Sequence, residues 1–325
     1  MSKTLTSSSP GPALTVEGLT KLYGGSGNGV RDLKLSVPRG SLHGFLGRNG
    51  AGKTTTMKCI MGLLRRDKGR FSLFGEPYDP FRSFQLRRRI GYSPELPTFP
   101  AHLKGREVLE QYGRMRGLRK TEARYETSLL LRQLELTEAA DQKAMTYSKG
   151  MKAKLGIAIA MLGDPELLIL DEPTSGLDPV AISDLRKLLR GLVSGAEGGR
   201  TVLLSSHQMY EVQQLCTSVT IIDQGVTKAE GHLIQLMQQV KRSSAYRAEF
   251  ARLDEPLVAA IRSLPDVSTV EPASGVSKTL RIQAKPNVDL RETLARLAVN
   301  QGTLLLSCEQ ETLAVEDVFL SFVQA

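Results

Sequence analysis

The chain has 325 residues, with 43 Lys plus Arg against 34 Asp plus Glu for a net charge of +9, and 41% of its residues are hydrophobic. That length suits two domains with apolar cores, and the composition excludes collagen, a disordered tail protein and a disulfide miniprotein. Cys59, Cys216 and Cys308 lie 157 and 92 residues apart, which gives no CxxC pair and points to a reducing compartment. No apolar run reaches the roughly 18 residues a membrane span needs. Residues 1–13 carry one Lys and no apolar core, so they read as a loose leader rather than a secretory signal. A soluble, intracellular chain is expected.

In chain order, Leu14 and Val16, then Leu33, Leu35 and Val37, alternate with polar residues and predict two half-buried strands. Leu42–Leu46 is a short apolar run that stops at Gly47. A Gly-rich turn follows, and Met57, Ile60, Met61 and Leu64 then share one helix face. From Pro100 to Leu162 the pattern is helical and rich in Arg, Lys and Leu, as in a helical insertion. Leu167–Leu170 is a continuous aliphatic run, and Val202–Leu204 and Val219–Ile222 are two more short apolar runs, suited to strands covered on both faces in a parallel α/β sheet. After Lys241 the elements change. Strands around Tyr246–Ala251, Val270, Leu280–Ile282 and Leu304–Leu306 interleave with helix faces at Leu257, Ile261, Leu264 and at Leu290, Leu294, Leu297. The order β-α-β-β-α-β predicts a small ferredoxin-like module over 241–325, closed by a terminal helix through Val315, Phe319, Phe322 and Val323.

Charge is uneven. Residues 1–240 hold 33 basic and 23 acidic side chains, and Arg82–Arg132 alone holds 12 and 5, a net of +7. A solvated helical face, a nucleic-acid contact and a membrane-surface contact all fit this cluster. Few aromatics interleave with it, which argues against base stacking.

Two motifs carry chemistry. GRNGAGKTT, Gly47 to Thr55, fits G-x-x-x-x-G-K-[ST] through Gly47, Gly52, Lys53 and Thr54. Backbone N–H groups of such a loop converge on phosphate oxygens and the following helix points its positive end at them. Lys53 can reach the β and γ phosphates and the Thr54 hydroxyl can ligate Mg²⁺. LLILDEP, Leu167 to Pro173, delivers Asp171 to the carboxyl edge of the sheet. There Asp171 can hold Mg²⁺, directly or through water, and Glu172 can take a proton from an attacking water. The predicted fold class is α/β, a P-loop NTPase domain over 14–240 with a helical subdomain at about 96–164.

On these motifs the sequence resembles the ATP-binding subunit of an ABC transporter, from about Leu14 to about Gln239. The resemblance implies that Tyr23 stacks on adenine, and that Asn49, Gly50, Ala51, Gly52 and Thr55 complete the phosphate loop. YSKGM, Tyr147 to Met151, stands where the family has its LSGGQ-like signature. Ser148 and Gly150 keep that pattern; Tyr147, Lys149 and Met151 depart from it. By the same resemblance, Asp178 in SGLD belongs to a loop crossing between subunits, and His207 contacts the γ-phosphate. Glu95 stands where most members have Gln near Mg²⁺; both residues can offer the metal an oxygen. Glu95, YSKGM and EDVFLSF are similar to the branch serving drug, lipid and polysaccharide exporters. A head-to-tail homodimer is implied, with Ser148, Lys149 and Gly150 of one copy covering ATP and Mg²⁺ held by the other. Integral membrane permease subunits are the implied further partners, with placement on the cytoplasmic face of the cell membrane and no nucleic acid. Two other readings are a soluble ABC ATPase acting on nucleic acid or ribosomes and a non-hydrolysing regulatory subunit. The single cassette argues against the first, and intact Lys53, Asp171, Glu172 and His207 argue against the second. A drive for membrane assembly or mechanical work, rather than transport, also remains open.

Overall fold

The computed structural model describes residues 11–24, 27–194, 199–240, 245–273, 278–285 and 288–310. The terminal helix expected through Val315 and Phe322, and most of the expected leader, lie outside them. The chain divides into two compact units, Met1–Leu233 and Ile234–Ala325.

The first unit opens with β1 (Leu14–Tyr23), β2 (Asn28–Val37) and β3 (Leu42–Leu46), followed by α1 (Lys53–Met61). Next come β4 (Lys68–Leu73), β5 (Glu76–Tyr78), α2 (Phe84–Arg88) and β6 (Ile90–Ser93). Three helices then interrupt the strands: α3 (Gly105–Met115), α4 (Lys120–Gln133) and α5 (Lys149–Met161). The strand series resumes with β7 (Leu167–Leu170), α6 (Pro179–Val193), β8 (Thr201–Ser206), α7 (Met209–Leu215), β9 (Ser218–Asp223) and β10 (Val226–His232).

Two sheets result. The antiparallel one has the order β2-β1-β4-β5, and the larger one the order β10-β9-β3-β8-β7-β6. In the larger sheet β9, β3, β8, β7 and β6 run parallel, and β10 pairs antiparallel to β9 at the edge. Every residue of β3, β7, β8 and β9 is buried, as in a parallel sheet covered on both faces. The core joins both sheets and α1, with Leu14, Leu33 and Phe71 on one side, Phe45, Ile169 and Leu203 on the other, and Met57 and Ile60 from the helix. The basic cluster is partly consumed within the fold. Arg89 pairs with Glu166 and Glu76, Arg106 with Asp141, Arg119 with Glu122 and Arg124 with Glu110. Arg87 and Arg116 donate to backbone carbonyls.

One buried polar chain ties three strands of the larger sheet to β2. His43 of β3 is 1% exposed, and its Nδ1 and Nε2 lie 2.8 Å from Ser218 Oγ and 2.9 Å from Thr220 Oγ1. Thr220 donates onward to Glu230, which also accepts the Ser36 N–H. Thr220 therefore accepts from Nε2–H, leaving Nδ1 as acceptor for Ser218. Burial lowers the His43 pKa from 6.5 to about 3. The unfolded chain then binds the extra proton first, so stability is complete above about pH 6.5 and is lost as pH falls toward 3. Between pH 7 and 5 this costs about 2 kcal/mol. Urea titrations should show that loss in the wild type and a flatter profile in His43→Gln, which starts from lower stability at pH 7. Parallel profiles would remove His43 as the cause.

The second unit comprises most of α8 (Leu233–Val240), then β11 (Ala245–Phe250), α9 (Glu255–Arg262), β12 (Val267–Pro272), β13 (Thr279–Ala284), α10 (Arg291–Asn300) and β14 (Leu305–Gln310). Its sheet has the order β12-β13-β11-β14, antiparallel throughout. This is a split β-α-β arrangement. Tyr246, Phe250, Ile282, Leu257, Ile261 and Leu294 form its core.

Candidate nucleotide site

The turn between β3 and α1 is shaped by glycines. Gly52 has φ +105°, and a Cβ there would fall 2.4 Å from Val30 Cγ1. Gly50 has φ +84° and open space where a Cβ would point. Both conformations disfavour any side chain, and the second leaves the backbone accessible. No side chain caps α1 and no acid sits in its first turn, so its leading N–H groups and positive dipole end face the cleft above.

Lys53, 6% exposed, folds back over the turn. Its Nζ donates to Gly47 O at 2.7 Å and Arg48 O at 3.3 Å, and lies 3.1 Å from Glu172 Oε1. Glu172 follows β7 in a left-handed conformation, φ +46°, a strain of about 1–3 kcal/mol that turns its carboxylate out of the strand line. The other oxygen, Oε2, lies 2.8 Å from His207 Nδ1. An ionised carboxylate only accepts, so Nδ1 carries the proton and Nε2 is turned to other use.

Asp171 is 1% exposed at the end of β7. Its N–H donates to Ser93 O at 2.9 Å, and its Oδ1 accepts from Ser205 Oγ at 2.6 Å. The same Ser205 Oγ accepts the Glu172 N–H at 2.9 Å, so one hydroxyl from β8 fixes both acids. On the far side of the cleft the Tyr23 hydroxyl meets Thr55 Oγ1 at 3.2 Å. Ser175 Oγ donates to Glu95 Oε1 at 3.4 Å.

Tyr23, Asn49, Gly50, Gly52, Lys53, Thr54, Thr55, Glu95, Glu172 and His207 share one open cleft of about 840 Å³. Gly47 and Ala51 belong to the turn beneath it, and Asp171 stands behind Glu172 in the sheet. Ser148, Lys149, Gly150 and Asp178 do not line it. Ser148 caps α5, accepting from Met151 N at 3.2 Å, and Asp178 caps α6, accepting from Val180 N and Ala181 N. Lys149 Nζ rests on Gly176, where a Cβ would fall 2.2 Å away. The sequence assigns no role to Ser205 or Ser93, and places Ser175 only as the start of the SGLD loop. Ser205 stands in the SSH triplet, but only the strand pairing shows which hydroxyl reaches the acids.

An ammonium, an uncapped helix start and a carboxylate held by an imidazole suit a polyphosphate whose terminal group is to be attacked by water. Comparison with known proteins gives the same direction. Residues 30–175 match the family model described as ABC transporter. The chain is 35% identical over 306 residues to the bacitracin transport ATP-binding protein BcrA of Bacillus licheniformis, covering 94% of this chain and 95% of that protein.

The chain belongs to the ATP-binding subunits of ABC transporters.

A second member of the family, the Nod factor export ATP-binding protein I of Ralstonia nicotianae, is 34% identical over 279 residues, 78% of this chain and 85% of that one. A solved structure described as the ATP-binding subunit of an ABC transporter superposes with a TM-score of 0.62 at 33% identity. It covers 70% of this chain and 92% of its own. The α/β P-loop cassette and the ATPase activity expected from the sequence are thereby shown for this ABC subunit. Among its described residues no helix is long and apolar enough to cross a membrane.

Proposed function

We propose that this subunit hydrolyses ATP between two copies of itself and thereby drives an export complex whose membrane-spanning subunits are separate chains. The observation that carries the reading is the Glu172 carboxylate, clasped between Lys53 and His207 on the floor of the open cleft. Lys53 exchanges Glu172 for the β and γ phosphates, while Asn49, Gly50, Ala51, Gly52 and the start of α1 present N–H groups to them and Gly47 lets the turn close. Tyr23, pinned by Thr55, offers its ring to adenine. Released from the ammonium, Glu172 takes the proton of the attacking water, and His207 holds that carboxylate in line through Nδ1–H.

Among the described residues no three His, Cys, Asp or Glu converge as a metal cage. The donors at hand, Thr54, Asp171 and Glu95, are hard oxygens, and an incomplete oxygen set fits a Mg²⁺ that keeps phosphate oxygens and water in its shell. Held by these three residues, Mg²⁺ would supply neutralisation of the charge building on the phosphates.

The cleft is open on one side, yet charge developing on the γ-phosphoryl group needs donors around it. Ser148, which caps α5, and Lys149 and Gly150, which continue it, offer a second helix N-terminus with no acid in its first turn and with Lys149 and Lys152 there. They lie outside their own cleft, as residues serving a second copy must. Asp178, at the head of α6, belongs to the loop that crosses between copies.

Export is supported by the relatives' names, bacitracin transport and Nod factor export, and by near full-length coverage of the first. Full-length tagged chain purified from membranes should bring down a multi-span membrane protein and hydrolyse ATP in that complex. Co-purified nucleic acid that stimulates turnover would instead favour the nucleic-acid reading.

A further inference from the structure

Helix α7 begins two residues after His207 and is seven residues long, too short to hold its own shape or place. No side chain caps its first turn. Val212 and Leu215 bury its inner face. Beyond this packing, α6 anchors it through side chains. Arg186 of α6 forks onto Glu211 of α7, with Nη2 2.7 Å from Oε1 and Nε 3.3 Å from Oε2. Four residues on, Arg190 Nη2 donates to Gln214 O at 2.6 Å, one of the last-turn carbonyls that α7 cannot satisfy itself. The Arg186 guanidinium also lies 5.4 Å from the Tyr210 ring centre.

The two arginines are one helical turn apart on α6 and grip both ends of α7. The Glu211 side chain is 5% exposed and Arg186 21%, so this pair is shielded from water far better than an ordinary surface bridge. Bidentate geometry fixes direction as well as distance. The other end of α6 is set by Asp178, whose Oδ1 accepts Val180 N and Ala181 N. The 175–178 loop thus leads into α6, α6 holds α7 through two arginines, and α7 follows His207, whose Nδ1 lies on Glu172 Oε2.

We infer that Glu211, held by Arg186, is a positioning residue that sets His207 against Glu172 and makes His207 move together with the 175–178 loop. The inference rests on the roles given above to Glu172 and His207. It assigns a role to residues that touch neither nucleotide nor the reacting atoms. Loss of the pair leaves the phosphate turn, Lys53 and Tyr23 intact, so ATP should still bind while the imidazole no longer aligns the base.

The experiment uses the full chain in four forms: wild type, Glu211→Gln, His207→Ala and the double variant. Single-turnover ATP hydrolysis and equilibrium binding of a non-hydrolysable ATP analogue are read for each. Glu211→Gln should hydrolyse at least about tenfold more slowly, with analogue affinity within about twofold of wild type. In the His207→Ala background the same substitution should cost nothing further. Arg186→Lys, which alters a partly exposed side chain and keeps the charge, should reproduce a smaller loss by removing the fork, and it serves if Glu211→Gln does not fold. Multiplying losses in the double variant, an affinity that falls in step with the rate, or wild-type turnover in both pair variants would overturn the inference. Full activity in His207→Ala alone would overturn the role assigned to His207, and this inference with it.

Discussion

The Glu172→Gln protein should bind ATP and turn it over about 10²–10⁴-fold more slowly than wild type, the loss expected when a general base is removed. The substitution is nearly isosteric. Its backbone N–H still donates to Ser205 Oγ, and its side-chain carbonyl can still accept from His207. Lys53 keeps two acceptors, Gly47 O and Arg48 O, so the ammonium is not stranded when its carboxylate partner is neutralised. Binding is therefore spared while proton transfer is lost. In the proposed arrangement ATP bridges two copies, so its persistence should trap a dimer. Size-exclusion chromatography with light scattering in saturating ATP and Mg²⁺ checks this: a stable dimer is expected, and monomers alone would defeat the two-copy reading. Wild-type turnover would defeat the role of Glu172 itself.

Lys53→Ala should act in the opposite order, losing affinity before chemistry. Charge-assisted hydrogen bonds are worth about 1.5–3 kcal/mol each, so losing the contacts of one ammonium to two phosphates should weaken ATP binding by about 10²-fold or more. A second effect follows from burial. Glu172 is 7% exposed beside Lys53, and among the described residues His207 is the one polar partner its carboxylate keeps once Lys53 is gone; breaking a buried pair from one side costs about 3–5 kcal/mol. The nucleotide-free Lys53→Ala protein should therefore melt earlier than wild type. Adding Glu172→Gln removes the stranded charge and should recover much of the melting temperature while leaving ATP binding lost. Calorimetric titration and thermal denaturation of the two variants separate these effects. Unchanged ATP affinity would remove Lys53 from the phosphate site.

Much of the fold was legible because several of its strands are unusually simple. Leu167–Leu170 is an aliphatic run and Val219–Ile222 a mostly apolar one, and runs of that kind are buried on both faces. Other elements gave weaker signals. β6 is only four residues, IGYS, too short for alternation to register, and β5 is three. β10 is half-exposed along its length and reads as loop. α6 carries Leu185, Leu189 and Leu192 on a buried face, a helical period in the segment directly after the DEPTSGLD motif. The phosphate turn and the acids were equally plain, since GRNGAGKT and LLILDE each place chemistry at a fixed offset from a strand. Ser205 was not, because a serine's role depends on what lies across the ladder.

The sequence by itself determined the covalent order: a strand ending in a glycine turn with lysine, a strand ending in two acids, a strand followed by histidine, and a second unit of different rhythm. Local spacing suffices for that, because backbone sterics and side-chain period act over a few residues. It did not determine which strands are neighbours. Only the tertiary structure inserts β8 between β3 and β7, and that insertion lets one hydroxyl fix both acids while the same strand's end carries His207 to Glu172. It also decided that Arg186 and Arg190, two among many charged residues on helix faces, grip α7. Such pairings join residues 24 or 25 positions apart through packing of whole elements, and no local pattern encodes a distance of that kind.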